Sequence, residues 1–168
     1  MRTINENTKT FKAEGKIFII PVAGMMPINL SINSEARIAI AKQVCELNGM
    51  VFDEYQDIML ETWFYVPEWE TDNLPDHGGY ITVSEAEQFA IGVDTCRWLP
   101  AKLFAGKREG DTVAIKIPGW FRRIVDGVKA GSGDAVIDLT LTLDQTHHRY
   151  KHCGTWEQVM CKAVAAAN

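Results

Sequence analysis

Ile137, Leu139, Leu141 and Leu143 alternate with Asp138, Thr140, Thr142 and Asp144, the period of a strand with one face in a core and the other in water. Such a strand is not stable alone; it needs neighbouring strands and apolar cover over its inner face. Val113, Ile115 and Ile117 repeat the period within 112–117. Leu60, Thr62, Phe64 and Val66 do so against Glu61, Trp63 and Tyr65, after a short helical turn that Asp53 and Gln56 start. Residues 16–22 are β-branched and aromatic up to Pro21 and Gly24, which reads as a buried strand, and 80–83 is a further short one.

Helices are expected between these strands. Asn33 and Ser34 cap one whose Ala36, Ile40, Val44 and Leu47 share a face and whose stop is Gly49. Ser84 with Glu87 forms a capping-box pattern that predicts a helix to about Ile91, before Gly92. A short helical turn is read over 100–106. Phe121, Ile124, Val125 and Val128 suggest an amphipathic helix over 120–128, followed by a flexible loop at Gly131-Ser132-Gly133. Thr155 and Gln158 cap a last helix carrying Trp156, Val159, Met160 and Ala163. Residues 67–79, rich in Pro, Asp, Asn and Gly, read as a surface loop. The expectation is an α+β fold, one domain over 1–168, with a mostly antiparallel sheet and about three to four helices packed on it. With 168 residues, 46% of them apolar, the chain can bury roughly 70% of its unfolded surface.

The charge is distributed unevenly. No Lys or Arg falls between Lys42 and Arg97, and that stretch holds twelve acidic residues. The first 42 residues carry six basic and three acidic side chains, and 97–168 carry eleven basic and seven acidic, for a net charge of −5. Two arrangements fit: the segments interleave their charges on one surface, or the middle third forms an acidic face for a basic partner. Overall acidity argues against a chain that coats nucleic acid or anionic membrane.

Cys45, Cys96, Cys153 and Cys161 contain no C-x-x-C pair, so reduced thiols in a cytoplasm are expected rather than a disulfide framework or a zinc knuckle. The basic residues before the apolar run at 17–26 imitate a secretory signal. Pro21, Gly24, Glu6 and Glu14 break the imitation, and no apolar segment is long enough to span a bilayer.

Catalytic patterns are sparse. His147, His148, His152 and Cys153 are the densest set of transition-metal donors, although on a strand His148 and His152 stand roughly 13 Å apart. Pro75-Asp76-His77-Gly78-Gly79 sets an acid beside an imidazole with no third group to orient the ring. The glycines at 131 and 133 fall short of a dinucleotide loop, no P-loop is present, and the acidic stretch lacks a calcium-loop pattern.

Trp63-Phe64-Tyr65-Val66-Pro67-Glu68-Trp69-Glu70 is different, because four aromatics lie within seven residues of the acidic stretch. Rigid rings beside charge are what interfaces use as anchors. The expectation is a non-enzymatic binding protein, with no cofactor, that docks on a basic protein partner through Glu61, Trp63, Tyr65, Glu68, Trp69, Glu70 and Asp72. An inhibitor of a nucleic-acid-binding protein, of the phage or mobile-element anti-defence kind such as an anti-CRISPR protein, is one concrete form. The alternative is a small metal-dependent enzyme using His147, His148, His152 and Cys153. A third possibility is a nucleic-acid patch of Arg97, Lys102, Lys107, Arg108, Lys116, Arg122 and Arg123, with Trp98 and Trp120 as stacking platforms. Net acidity ranks it last, so direct nucleic-acid binding is not expected.

Overall fold

A computed structural model describes residues 1–19, 35–69, 78–95, 97–144 and Trp156. In chain order the elements are β1 (Lys9–Ile19), α1 (Glu35–Leu47), β2 (Met59–Tyr65), β3 (Gly78–Thr82), β4 (Glu87–Val93), β5 (Trp98–Pro100), β6 (Thr112–Val125) and β7 (Val128–Leu143), with short 3-10 turns at Pro67–Trp69 and Ala101–Phe104. The strands form one strongly curled sheet in the order β3-β4-β6-β7-β1-β2-β5. All neighbours are antiparallel except β1 and β7, which run parallel from Lys9↔Ala135 to Ile17↔Leu143.

The alternation read at 137–143 is the inner face of β7. Ile137, Leu139, Leu141 and Leu143 are fully buried beside Ile115 and Ile117 of β6 and Ile17 of β1. Leu60, Phe64 and Val66 bring β2 into the same core, and Trp156 closes on Phe104, with ring centroids 5.1 Å apart and its Nε1–H donating to the Asp144 carbonyl. A smaller cluster lies between α1 and the start of β2, where Ala41 and Cys45 pack with Phe52 and Met59. Burial there pushes the Cys45 thiol up to about 11.

The expected helix forms at Glu35–Leu47 and ends where Gly49 adopts a left-handed φ of 74°. Its expected caps Asn33 and Ser34 lie outside the described residues, and of the expected face Val44 is buried, Ile40 and Leu47 are half-buried and Ala36 is exposed. The Gly49 N–H then reaches the Glu46 carbonyl and the Met50 N–H the Cys45 carbonyl, which satisfies the last turn. At this end the Asn48 side-chain amide donates to the Lys116 carbonyl and accepts the Lys116 N–H, at 2.8 and 2.9 Å. The ladder between β4 and β6 stops at Val93↔Gly119, and beyond it, among the described residues, the amide stands where a neighbouring strand would.

The expected α+β class, with about three to four packed helices, does not hold. Strand makes up 52% of the structure, and among the described residues α1 is the one helix longer than a turn. Two expected helices are strands. Ser84 does accept the N–H groups of Ala86 and Glu87 through its hydroxyl, as a cap would. Val83 N–H, however, bonds the Glu87 carbonyl and closes a hairpin into β4. Residues 89–93 are buried on both faces, and a strand with two dry faces has no period of two to read.

The segment 120–128 fails differently. Its apolar residues belong to the end of β6 and the start of β7, joined by Asp126 and Gly127 with φ of 49° and 78°. Two successive positive φ values define the hairpin turn that Asp-Gly favours. The glycines at 131 and 133, expected in a loop, lie within β7, where the Phe121 ring covers Gly133. The strand read at 16–22 begins seven residues earlier, at Lys9. The final helix at 155 lies outside the described residues apart from Trp156.

Two expectations follow. Leu139→Asp or Leu141→Asp places an unpaired carboxylate in the fully buried inner face of β7, a penalty of several kcal/mol against a total stability of about 5–15 kcal/mol; both variants should be insoluble or lack a cooperative melting transition. Cys45 should resist alkylation at pH 8 in the native protein and react on denaturation, which peptide mapping by mass spectrometry reads directly.

Candidate functional site

The fold neutralises part of the acidic stretch. Five of its carboxylates meet a basic residue from outside it: Glu54 pairs with Lys42, Asp57 with Lys102, Glu61 with Arg97, Glu87 with Arg123 and Asp94 with Arg2. Interleaving of charges is therefore the arrangement adopted across much of the described chain.

Glu61 is inside rather than on a docking face. Its side chain is 6% exposed on β2, and its Oε1 accepts from Arg97 Nε and Nη2 at 3.1 Å each. Trp69 is half-buried against the core, over Gly79, where a Cβ would stand 2.4 Å from its ring. Both serve packing. The alternation read in β2 holds for the others, since Phe64 is buried, Trp63 is half-buried and Tyr65 is 47% exposed, with Glu68 exposed in the following turn. Glu70 and Asp72 lie outside the described residues, as do His77, Cys96, His147, His148, His152 and Cys153. Among the described residues no group of three or more His, Cys, Asp or Glu is placed to hold a metal, and no helix is long and apolar enough to cross a membrane.

A second acid-flanked apolar surface has no counterpart among the sequence patterns. The 50–55 loop follows α1 and exposes Val51 to 80% and Tyr55 to 87%, with Met50 also exposed. Its backbone is tied down: Asp57 N–H donates to the Asp53 carbonyl, Asp53 N–H to Asp57 Oδ2, and Tyr55 N–H to Asp53 Oδ1. Lys102 Nζ bridges the Val51 carbonyl and Asp57, and Phe52 is buried as an anchor beneath. The acids Glu46 and Asp53 are exposed around it. Asp53, expected to start a helical turn, makes the capping bonds that its residue type signals, whereas nothing in the sequence signals the exposure of Tyr55.

The basic patch breaks up in the same way. Arg97, Lys102 and Arg123 are ion-paired, and Trp98 lies in the small cluster under Arg37, whose guanidinium is 5.3 Å from the ring centroid. Lys107, Arg108 and Lys116 have no ion pair among the described residues, but Lys107 and Arg108 precede β6 and Lys116 lies nearer its start than Trp120 and Arg122, which share its outer face. Trp120 and Arg122 line a groove of about 400 Å³ with Lys129, Ser132, Asp134 and Arg2. Directly paired positions set its order, Trp120 opposite Asp134 and Arg122 opposite Ser132.

One wall of that groove is a clamp. The Arg2 guanidinium reaches Asp94 at 2.8 Å and Asp134 at 3.1 Å, Thr3 N–H donates to Asp134, and Gln43 donates to the Arg2 carbonyl. The Thr3 amide and Arg2 together hold the Asp134 carboxyl below its ordinary value. The clamp joins the N-terminal residues to α1, β4 and β7. Comparison with known proteins finds no matching family model, no matching curated protein and no matching solved structure.

Because the Asp134 pKa is depressed in the folded state, its contribution to stability is complete above the unfolded value near 4 and is lost as pH falls through the folded one. Arg2→Ala should therefore lower the melting temperature by a constant amount between pH 5 and 7. The gap to the wild type should shrink below about pH 4. Thermal melts of both proteins across that range check it.

Proposed function

We propose that the protein is a non-enzymatic binding protein that docks on a basic protein partner through the acid-flanked 50–55 loop. The observation that supports this best is Tyr55, exposed on a backbone fixed by Asp53, Asp57 and Lys102. A backbone already held in place loses little entropy on binding, and tyrosine is enriched among interface anchors. Val51 and Met50 add apolar area next to it. Glu46 and Asp53 supply the sign of the field that a basic surface would meet, which favours fast encounter. Tyr65 and Glu68 offer a second element of the same chemistry at the end of β2. A nucleic-acid-binding protein carries the kind of basic surface such a loop would cover, so inhibition by occupancy is the form of activity proposed.

The test is a pull-down with the tagged full chain, comparing the wild type with Tyr55→Ala and Glu46→Lys after each is shown to be folded. Partners held through this loop should dissociate faster from Tyr55→Ala, an anchor of about 2 kcal/mol corresponding to roughly 30-fold in affinity. Glu46→Lys should slow association and reduce its salt dependence. Identical recovery of the same partners by all three proteins at low and high salt would remove the loop from consideration.

A further inference from the structure

The outer face of the β6–β7 hairpin carries a feature that the basic-partner proposal leaves unused. The Trp120 indole rests on Gly92, directly across the β4–β6 ladder. A Cβ at Gly92 would stand 2.4 to 2.5 Å from three atoms of the indole. All three atoms lie along the Nε1 edge of the indole, so that edge is packed against the strand and only glycine admits it there. The rest of the half-exposed ring lines the groove.

Charge along the hairpin is ordered. At the Trp120 end the paired residue is Asp134, and Arg2 beside it is already neutralised by Asp94 and Asp134. Toward the hairpin turn stand Arg122, Ser132 opposite it, and Lys129. Neither Arg122 nor Lys129 has an ion-pair partner among the described residues, and both are exposed. The groove thus has an aromatic platform with a hydrogen-bond acceptor at one end, and two available cations with a hydroxyl at the other.

We propose that this groove takes a nucleotide unit of a single-stranded nucleic acid, with the base stacked on Trp120 and the phosphate held by Arg122 and Lys129. An acidic peptide would satisfy the two cations but leave the flat ring without a planar partner. A base uses both, and its N–H groups suit the Asp134 carboxylate, whose oxygens keep lone pairs to spare. A duplex hides its bases, so the ligand is single-stranded. The net charge of −5 opposes binding at long range, which makes the interaction local and strongly salt-dependent.

The experiment is fluorescence anisotropy at low salt with the full chain and a fluorescein-labelled oligothymidylate of about fifteen nucleotides, beside an abasic oligomer of equal length. The abasic strand should bind about fivefold or more weakly, because it keeps the phosphates and loses the stacking. The exposed double variant Arg122→Ala, Lys129→Ala should weaken both strands and lower the salt slope by roughly 0.7 for each phosphate that is no longer neutralised. Trp120→Leu should abolish the difference between the strands, and Trp120→Phe should keep part of it. Equal affinity for the two strands, full binding by the double variant, or displacement of the oligomer by polyglutamate at equal charge would each overturn the assignment.

Discussion

β7 has β6 hydrogen-bonded along one edge and β1 along the other, and the positions of the remaining strands follow from those two ladders. Its inner residues sit at the middle of the core, between the parallel pairing and the longest antiparallel one. β1 meets β7 across more than a hundred positions of chain, while its other edge takes β2. Local contacts form quickly and distant ones slowly, so the β6–β7 hairpin has the means to form first and β1 must wait for it. The turn at Asp126 and Gly127 is accordingly as important to the architecture as any core side chain.

Charge follows the same long-range logic. Carboxylates at 54, 57, 61, 87 and 94 find their cations 12, 45, 36, 36 and 92 residues away. A run of acids in sequence is thus a poor guide to a field in space. The more exposed of them, such as Lys42 with Glu54, are each worth little, typically 0–1 kcal/mol. What escapes pairing is more informative: Glu46 and Asp53 around Tyr55 on one part of the molecule, Arg122 and Lys129 beside Trp120 on another.

Several elements are legible in the sequence because their burial is one-sided. Ile137 to Leu143 and Val113 to Ile117 carry their period openly, whereas β2 alternates only from Trp63 onward, because Glu61 is buried with Leu60 and Thr62. β4 is not legible, since Phe89 to Val93 are buried on both faces and Ser84 makes the hydrogen bonds of a cap without a helix behind it. The Asp126-Gly127 turn is a readable signal, but the helical spacing of Phe121, Ile124, Val125 and Val128 outweighs it, and the hairpin distributes those residues over two strands. Of the candidate docking residues, the exposure of Tyr65 follows from alternation, while the burial of Glu61 beside Arg97 is announced by no local pattern.

Asn48 carries a last consequence. Its amide occupies the backbone groups of Lys116 at the point where β4 no longer covers β6. An uncovered length of strand is a template onto which another molecule can add its own. A two-atom plug at the end of a helix denies that template to strangers, and it also fixes the helix to one residue of the sheet. The same contact that holds the end of α1 on the sheet keeps the Lys116 backbone from pairing with a second strand.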